Sequence, residues 1–217
     1  RNFSNLQQFL DLYYAGCDVL QSEDDFYALM WSYLKKASAA NVLHAEIFFD
    51  PQTHTTERNK HPVDIVINGL YRACVDAKKL SPPVDAHLIL CFLRHRHPGC
   101  ENCQPPAGDD DEALQCLEDV LACGLKNKLL GVGLDSGEAG NPPSLFKAAF
   151  ERAGKEGLRR VAHAGEEGPG QWITDSLDEL GIERVDHGVR CLEEQAIVDR
   201  LVSNKIALTV CPCSNHR

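Results

Sequence analysis

Residues 161–168 read VAHAGEEG, two apolar residues followed directly by His163 and, three positions later, by Glu166. Val161 and Ala162 end a short apolar run without strict alternation, which is typical of a strand buried on both faces. Ionisable side chains placed at the end of such a strand lie where parallel α/β proteins build their sites. The stretch therefore predicts an α/β fold and marks the carboxyl edge of its sheet.

The same kind of apolar run recurs along the chain and alternates with stretches of helical spacing. The predicted strands are residues 42–49, 86–93, 129–135, 159–163, 183–187 and 206–211. The predicted helices between them are residues 24–40, 63–79, 110–126, 143–156, 171–180 and 193–203. Regular alternation of this kind indicates a parallel sheet with right-handed crossovers.

A barrel is favoured over an open sheet, because no glycine-rich phosphate loop follows any strand. Polar side chains instead gather after strand upon strand, as they do at the carboxyl rim of a (β/α)8 enzyme. They are Asp50, Gln52, Arg94, Glu138, His163, Glu166, His187, Ser214 and Asn215, with Gly137 next to Glu138. Six strands are fewer than the eight of that fold, so we expect residues 1–217 to form a single incomplete barrel domain.

Charge and composition exclude several classes of function. A net charge of −10 argues against a nucleic-acid partner, since phosphate binding requires clustered Lys and Arg. No apolar run reaches the length of a membrane helix, and the amino-terminal residues do not resemble a signal peptide. We therefore expect no membrane partner and place the protein in the cytoplasm or also in the nucleus. The ten cysteines are scattered through apolar segments, which indicates buried thiols rather than a disulfide scaffold.

Five ordered motifs carry a family resemblance. They are HAEIFFDPQTHT, GLDSGEAGNPPSLF, HAGEEGP, RVDHGVRCLEE and LTVCPCSN. Together they resemble the adenosine/adenine deaminase family of metal-dependent hydrolases over nearly the whole chain, and DPQTHT and CPxSN resemble its adenine deaminase branch. The resemblance implies that the six strands are strands 2 to 7 of a (β/α)8 barrel, with the first and last strands absent from this sequence.

The activity that the resemblance implies is the zinc-dependent hydrolysis of adenine to hypoxanthine and ammonia, with a small purine as the substrate. Two alternatives stay open. The substrate is adenosine, which would be converted to inosine, or the chain is a catalytically incomplete fragment or pseudoenzyme of the family. The sequence does not indicate an oligomeric state.

The resemblance also implies roles for four residues. His163 would be a ligand of one Zn²⁺ ion, whose remaining ligands are expected outside this sequence. Glu166 would donate a proton to the purine ring and later assist the departure of ammonia, and His187 would orient and stabilise the attacking oxygen. The backbone N–H of Gly137 would bind a ring nitrogen, because a residue without a side chain lets the ring approach closely.

Several other residues have competing interpretations. Glu167 is expected to be only a solvated neighbour of Glu166, and Asp186 either orients backbone or belongs to the site. We expect Ser214 and Asn215 to hold their loop, whereas Gln52 either lines the base pocket or bonds its own loop.

Two zinc motifs of other kinds fit poorly. The cluster of His95, His97, Cys100 and Cys103 is spaced too tightly for a zinc finger and is interpreted as an exposed loop. The pair His44 and Glu46 matches the first half of the cytidine-deaminase signature, but no P-C-x-x-C follows it.

Overall fold

The computed structural model describes residues 6–55, 60–96 and 111–216 of the chain. Six parallel strands occur in these residues: β1 (His44–Phe49), β2 (Asp85–Leu93), β3 (Leu129–Asp135), β4 (Arg159–Ala164), β5 (Arg184–His187) and β6 (Ala207–Thr209). The helices are α1 (Leu6–Cys17), α2 (Glu23–Ala39), α3 (Gln52–Thr55), α4 (Val63–Ala77), α5 (Glu112–Ala122), α6 (Lys147–Lys155), α7 (Gln171–Asp175), α8 (Gln195–Ser203) and α9 (Pro212–Asn215).

Every predicted strand and every predicted helix is present, with boundaries that differ by a few residues. The predicted helix over 143–156 is a 3₁₀ turn, Pro143–Phe146, followed by α6, and the one over 171–180 is α7 followed by a π-helical turn, Ser176–Leu180. Three helices were not predicted. Of these, α1 has neither acidic residues in its first turn nor basic residues in its last, and α3 and α9 have only four residues each.

The chain divides into two compact units. One unit comprises residues 11–91 and 118–130, and in it β1 pairs with β2 in parallel, with His44 opposite Asp85. Helix α2 packs so closely on α4 that a Cβ atom at Gly69 would lie only 2.4 Å from the carbonyl oxygen of Glu23. The glycine therefore permits the close approach of the two helices. Burial of Phe26 and other apolar side chains on the facing sides of the two helices stabilises this contact.

Polar side chains at the amino ends of β1 and β2 satisfy one another in this unit. The carboxylate of Asp85 lies 3.2 Å from Nδ1 of His44 and 3.0 Å from Nε2 of His87. These bonds hold the pKa of Asp85 below its usual range, with the His87 bond contributing most. The H-x-E pair of His44 and Glu46 therefore belongs to a hydrogen-bonded network on one face of the two strands.

The other unit comprises the described residues of 1–10, 92–117 and 131–217, and it contains the candidate site. Strand β3 pairs with β4, β4 with β5, and β5 with β6, all in parallel. Its core is formed by apolar side chains of these strands and of the following helices, among them Phe92, Val132, Leu134, Phe146, Phe150, Ala162, Ile173 and Val185. The register places His163 opposite Asp186 and Ala164 opposite His187. That the chain forms a single domain stays a prediction.

The cysteines agree with the expectation of buried thiols. The eight that lie in the described residues are free; Cys17, Cys74, Cys91, Cys116 and Cys191 are buried, whereas Cys123 and Cys213 are exposed. Within the described part of the chain, no helix is both long and apolar enough to cross a bilayer.

Candidate active site

Three of the four predicted site residues come together at the carboxyl ends of β4 and β5. His163 is the penultimate residue of β4, Glu166 lies in the turn after that strand, and His187 is the last residue of β5. His187 has a positive φ of +66°, and Gly188 follows with +67°, so the backbone turns sharply as β5 ends. The imidazole rings of His163 and His187 lie 5.0 Å apart between centroids.

His163 lies in an environment that keeps its imidazole neutral. Burial lowers its pKa to about 3, and the nearby His187 and Arg94 act in the same direction. Its Nδ1 atom lies 3.8 Å from Oδ2 of Asp186. A neutral imidazole is the form that binds a metal ion, because its ring nitrogen offers a lone pair.

Glu166 and His187 face each other across the site. The distance from Oε1 of Glu166 to Nε2 of His187 is 3.5 Å, and both side chains are mostly buried. Burial raises the pKa of Glu166, and the negative charges of Glu167 and Glu138 raise it further. A raised pKa favours the protonated form of the carboxyl group, which is the form that a general acid needs.

Asn215 in α9 fixes the orientation of His187. Its side-chain nitrogen lies 2.8 Å from Nδ1 of His187. When the amide donates to Nδ1, the proton of the neutral imidazole is at Nε2, on the side of Glu166. From the sequence, Asn215 was expected only to hold its loop, whereas in the structure it bonds directly to His187, a predicted site residue.

A buried carboxylate holds the turn that carries Glu166. Oε1 of Glu138 accepts a hydrogen bond from the backbone N–H of Gly165 at 2.8 Å. Oε2 accepts three more, each at 2.9 Å, from the N–H groups of Glu166, Glu167 and Gly168. The Glu138 residue is fully buried. We define these four bonds as the Glu138 clamp.

Hydrogen bonds from Arg94 and Asn141 hold the loop after β3 in place. Arg94 is fully buried and donates to the carbonyl oxygens of Asn141 and, at 2.6 Å, of His163. Asn141 in turn donates from its side chain to the carbonyl oxygen of Gly137 at 3.0 Å. Burial lowers the pKa of Arg94 to about 10, although the nearby Glu138 carboxylate opposes the change. The guanidinium therefore stays charged at neutral pH.

Gly137 lies in this braced loop, next to Glu138. A Cβ atom added at Gly137 would meet nothing within 4 Å, so there is open space on the side where a side chain would project. The role of the Gly137 N–H in binding a purine ring stays a prediction.

The other candidate residues lie in varied surroundings. Asp186 is a buried strand residue whose Oδ1 accepts from Thr209 at 2.6 Å and from Arg184 at 3.2 Å. Glu167 is exposed, as expected of a solvated neighbour of Glu166, Ser214 is also exposed, and Gln52 is buried in the unit that contains β1. Asp186 therefore lies beside His163, within a hydrogen-bond network that joins β5 to β6.

The histidine and cysteine cluster is only partly described. His95 does not lie in an exposed loop, because its ring is half-buried and Nδ1 lies 2.7 Å from the Ser136 hydroxyl. Burial lowers the pKa of His95 to about 4. His97, Cys100 and Cys103 lie outside the described residues, so the interpretation of that part stays a prediction.

The model of the adenosine deaminase family matches residues 1–217. The chain belongs to the adenosine deaminase family. An adenine deaminase of Albidiferax ferrireducens is 53% identical over 215 residues, which are 98% of this chain and 57% of that protein. The crystal structure of an adenine deaminase from Arthrobacter aurescens matches with a TM-score of 0.88 and 45% identity, over 98% of this chain and 60% of that one.

A third relative is an amidohydrolase from Burkholderia ambifaria, solved with bound Zn, with a TM-score of 0.80 and 28% identity over 91% of this chain and 50% of that one. These likenesses and the six parallel strands confirm the predicted fold class, an α/β fold that is an incomplete (β/α)8 barrel of this family. The chain spans less than two thirds of the length of the curated relatives that it matches.

Proposed function

We propose that the full-length protein is a zinc-dependent adenine deaminase, which hydrolyses adenine to hypoxanthine and ammonia. The observation that carries this proposal is the grouping of a protonatable Glu166, 3.5 Å from His187, beside the buried His163. The 53% identity to an adenine deaminase, over 98% of this chain, supports adenine as the substrate.

Glu166 acts as the general acid in this proposal. Nucleophilic attack on the carbon that bears the amine pushes electron density onto the neighbouring ring nitrogen, which a proton neutralises. Burial disfavours the carboxylate form of Glu166 and raises its pKa, which favours the protonated form that this step needs. The carboxylate that remains can then accept a proton that originates from the attacking water and pass it to the amine, which leaves as ammonia.

His187 orients the attacking water. Asn215 occupies Nδ1 of its ring, so Nε2 is the atom left to face the reaction. A fixed N–H donor at this point stabilises negative charge as it develops on the attacking oxygen, at no cost of reorganisation. The Gly137 N–H binds a purine nitrogen and sets the distance of the ring from Glu166.

The donor set around His163 fits a zinc ion only in part. A neutral, buried imidazole is a suitable ligand, but His163 is in no group of three donors that could hold a metal among the described residues. We propose His163 as one ligand and expect the others outside this chain. When bound, zinc lowers the pKa of a water molecule enough to supply a nucleophile near neutral pH.

The experiment that tests the proposal measures metal content and turnover of adenine and adenosine by the full-length protein. The proposal expects about one zinc per chain, as at a catalytic site of this kind, and a higher kcat/KM for adenine than for adenosine. A preference for adenosine would leave the proposed deamination in place but identify adenosine, not adenine, as the substrate. If the metal-loaded protein turned over neither purine, the proposed deaminase activity would be refuted and only the fold assignment would remain.

Cytoplasmic location is a further part of the proposal. It rests on the acidic net charge of −10, which does not suit binding to membranes or nucleic acids. Cell fractionation followed by detection of the protein tests it, and recovery in the membrane fraction would contradict it.

A further inference from the structure

We propose that Glu138 is a positioning residue, which sets the place of Glu166 relative to the Gly137 N–H. This inference rests on the proposed function, because it assigns to Glu166 and Gly137 the acid and ring-binding roles given above. Glu138 itself does not contact the reacting atoms. It acts through the backbone of the turn on which Glu166 lies.

The Glu138 clamp is unusual in the number of donors that one side chain satisfies. Four consecutive backbone N–H groups, from Gly165 to Gly168, converge on the two carboxylate oxygens at 2.8–2.9 Å. A buried N–H without a partner costs about 1–3 kcal/mol, so the turn depends on this side chain to remain in place. Hydrogen bonds to an ionised acceptor are also about twice as strong as neutral ones.

The turn is built to admit this carboxylate. Gly165 has a φ of +66°, which a residue with a side chain adopts only at a cost. A Cβ atom at Gly168 would lie 2.3 Å from Cε3 of Trp172 and 2.8 Å from the carboxyl carbon of Glu138, so both neighbours require glycine there. The sequence HAGEEG therefore contains one glycine that allows the positive φ of the turn and one that leaves room for Trp172 and Glu138.

The clamp connects the two parts of the site that must agree in position. Gly137 and Glu138 are neighbours in the loop after β3, while Glu166 lies in the turn after β4. Strands β3 and β4 pair at Val132 and Arg160, in the middle of β3 and near the amino end of β4, and the clamp joins residues that follow the carboxyl ends of the same strands. A shift of the turn would therefore move the acid with respect to the bound ring.

A positive charge lies beneath the clamp. The fully buried Arg94 holds the carbonyl oxygens of Asn141 and His163, and its electrostatic interaction with Glu138 is favourable. One guanidinium thus supports the loop that bears Glu138 and the strand that bears His163. The clamp is in this way part of a rigid frame, as an active site that must hold an acid to within a fraction of an ångström requires.

The test is Glu138→Gln in the full-length, zinc-loaded protein, assayed for adenine turnover. Glutamine keeps the size of the side chain but turns an NH₂ group toward N–H donors. We expect kcat to fall about 100-fold, as a misplacement near 1 Å does, while KM for adenine changes little. Glu138→Asp keeps the charge and is shorter, so it should retain more activity than the glutamine variant.

The matched control is Glu167→Gln. It removes a like charge near Glu166, from the turn after β4 rather than from the loop after β3, and the backbone N–H of residue 167 remains to donate to Glu138. We expect its kcat to stay close to that of the wild type. If Glu138→Gln and Glu167→Gln behave alike, or if the kcat of Glu138→Gln is unchanged, the positioning role is refuted.

Hydrogen exchange of the backbone amides supplies a readout that needs no activity. In Glu138→Gln the amides of Gly165 to Gly168 should lose protection, while those of Ala162 and Val185 in the strand core keep theirs. Unchanged protection would overturn the clamp, and a loss of folded protein with a normal kcat per zinc-loaded site would overturn the positioning role. Wild-type protein that turns over no purine would refute the proposed function and with it the positioning role, whereas the exchange data would still show whether the clamp exists.

Discussion

Gly165 offers the sharpest test of how tightly the Glu166 turn is packed. A Cβ atom at Gly165 would lie 2.7 Å from Cδ1 and 2.9 Å from Cγ1 of the fully buried Ile173. The left-handed φ of +66° costs a residue with a side chain about 1–2 kcal/mol. Crowding a packed isoleucine adds about 1–3 kcal/mol. We therefore expect Gly165→Ala to lower the free energy of unfolding by about 2–5 kcal/mol.

The chain offers a control that separates the two contributions. Gly157 has a φ of +75°, and a Cβ atom there would meet nothing within 4 Å. Gly157→Ala should therefore lose only the backbone part, about 1–2 kcal/mol. Adding Ile173→Val to Gly165→Ala removes the atom at 2.7 Å and should recover part of the packing loss, although the smaller residue leaves a gap of its own.

The assay is equilibrium unfolding in urea, followed by tryptophan fluorescence, since Trp172 lies in α7 beside the turn. All variants are compared in full-length protein at one pH and one zinc concentration, because bound metal adds to apparent stability. Equal losses for Gly165→Ala and Gly157→Ala would refute the reasoning, since they would show that Ile173 yields to the added methyl group without cost.

Three further outcomes are expected. Glu166→Gln should lower kcat by at least about 100-fold with zinc content unchanged, measured by turnover and metal analysis; near-normal turnover would remove Glu166 from its role. Arg94→Met should destabilise the fold by about 3–5 kcal/mol, because it leaves the Glu138 charge and two carbonyl groups without their buried partner. Arg96→Met is its control and should cost about 1 kcal/mol or less, since the Arg96–Glu112 pair is part-exposed; equal urea midpoints would contradict this account. Because burial lowers the pKa of His163 to about 3, the unfolded chain binds a proton below pH 6.5 that the native chain does not. The contribution of His163 should therefore lower the free energy of unfolding of the metal-free protein by about 1.4 kcal/mol for each pH unit between 6.5 and about 3. The same slope in His163→Asn would contradict this assignment to His163.

Much of the fold follows from local pattern. The six strands and the longer helices were predicted because buried strands and amphipathic helices leave periodicities that extend over many neighbouring residues. Helix α1 was missed because no charged residues in its end turns mark it, and α3 and α9 because four residues are too few to show a period.

The site residues divide in a similar way. His163, Glu166 and His187 stand out in the sequence because they are ionisable residues at the ends of apolar runs and lie in family motifs. Asn215 and Arg94 follow strands as well, but their partners lie 28 and 69 residues away along the chain. Nothing local to Asn215 indicates that it bonds His187, so its role needed the tertiary structure.

Sequence alone determined the α/β class, the family and the residues that carry the proposed chemistry, because each is encoded in residue type and short-range spacing. The tertiary structure decided how these residues are held. The Glu138 clamp joins residues 27 to 30 positions apart, and its four donors are backbone N–H groups, which are the same in every residue but proline. No sequence pattern marks such donors. Only the pairing of β3 with β4 in the folded chain shows that one carboxylate accepts all four hydrogen bonds.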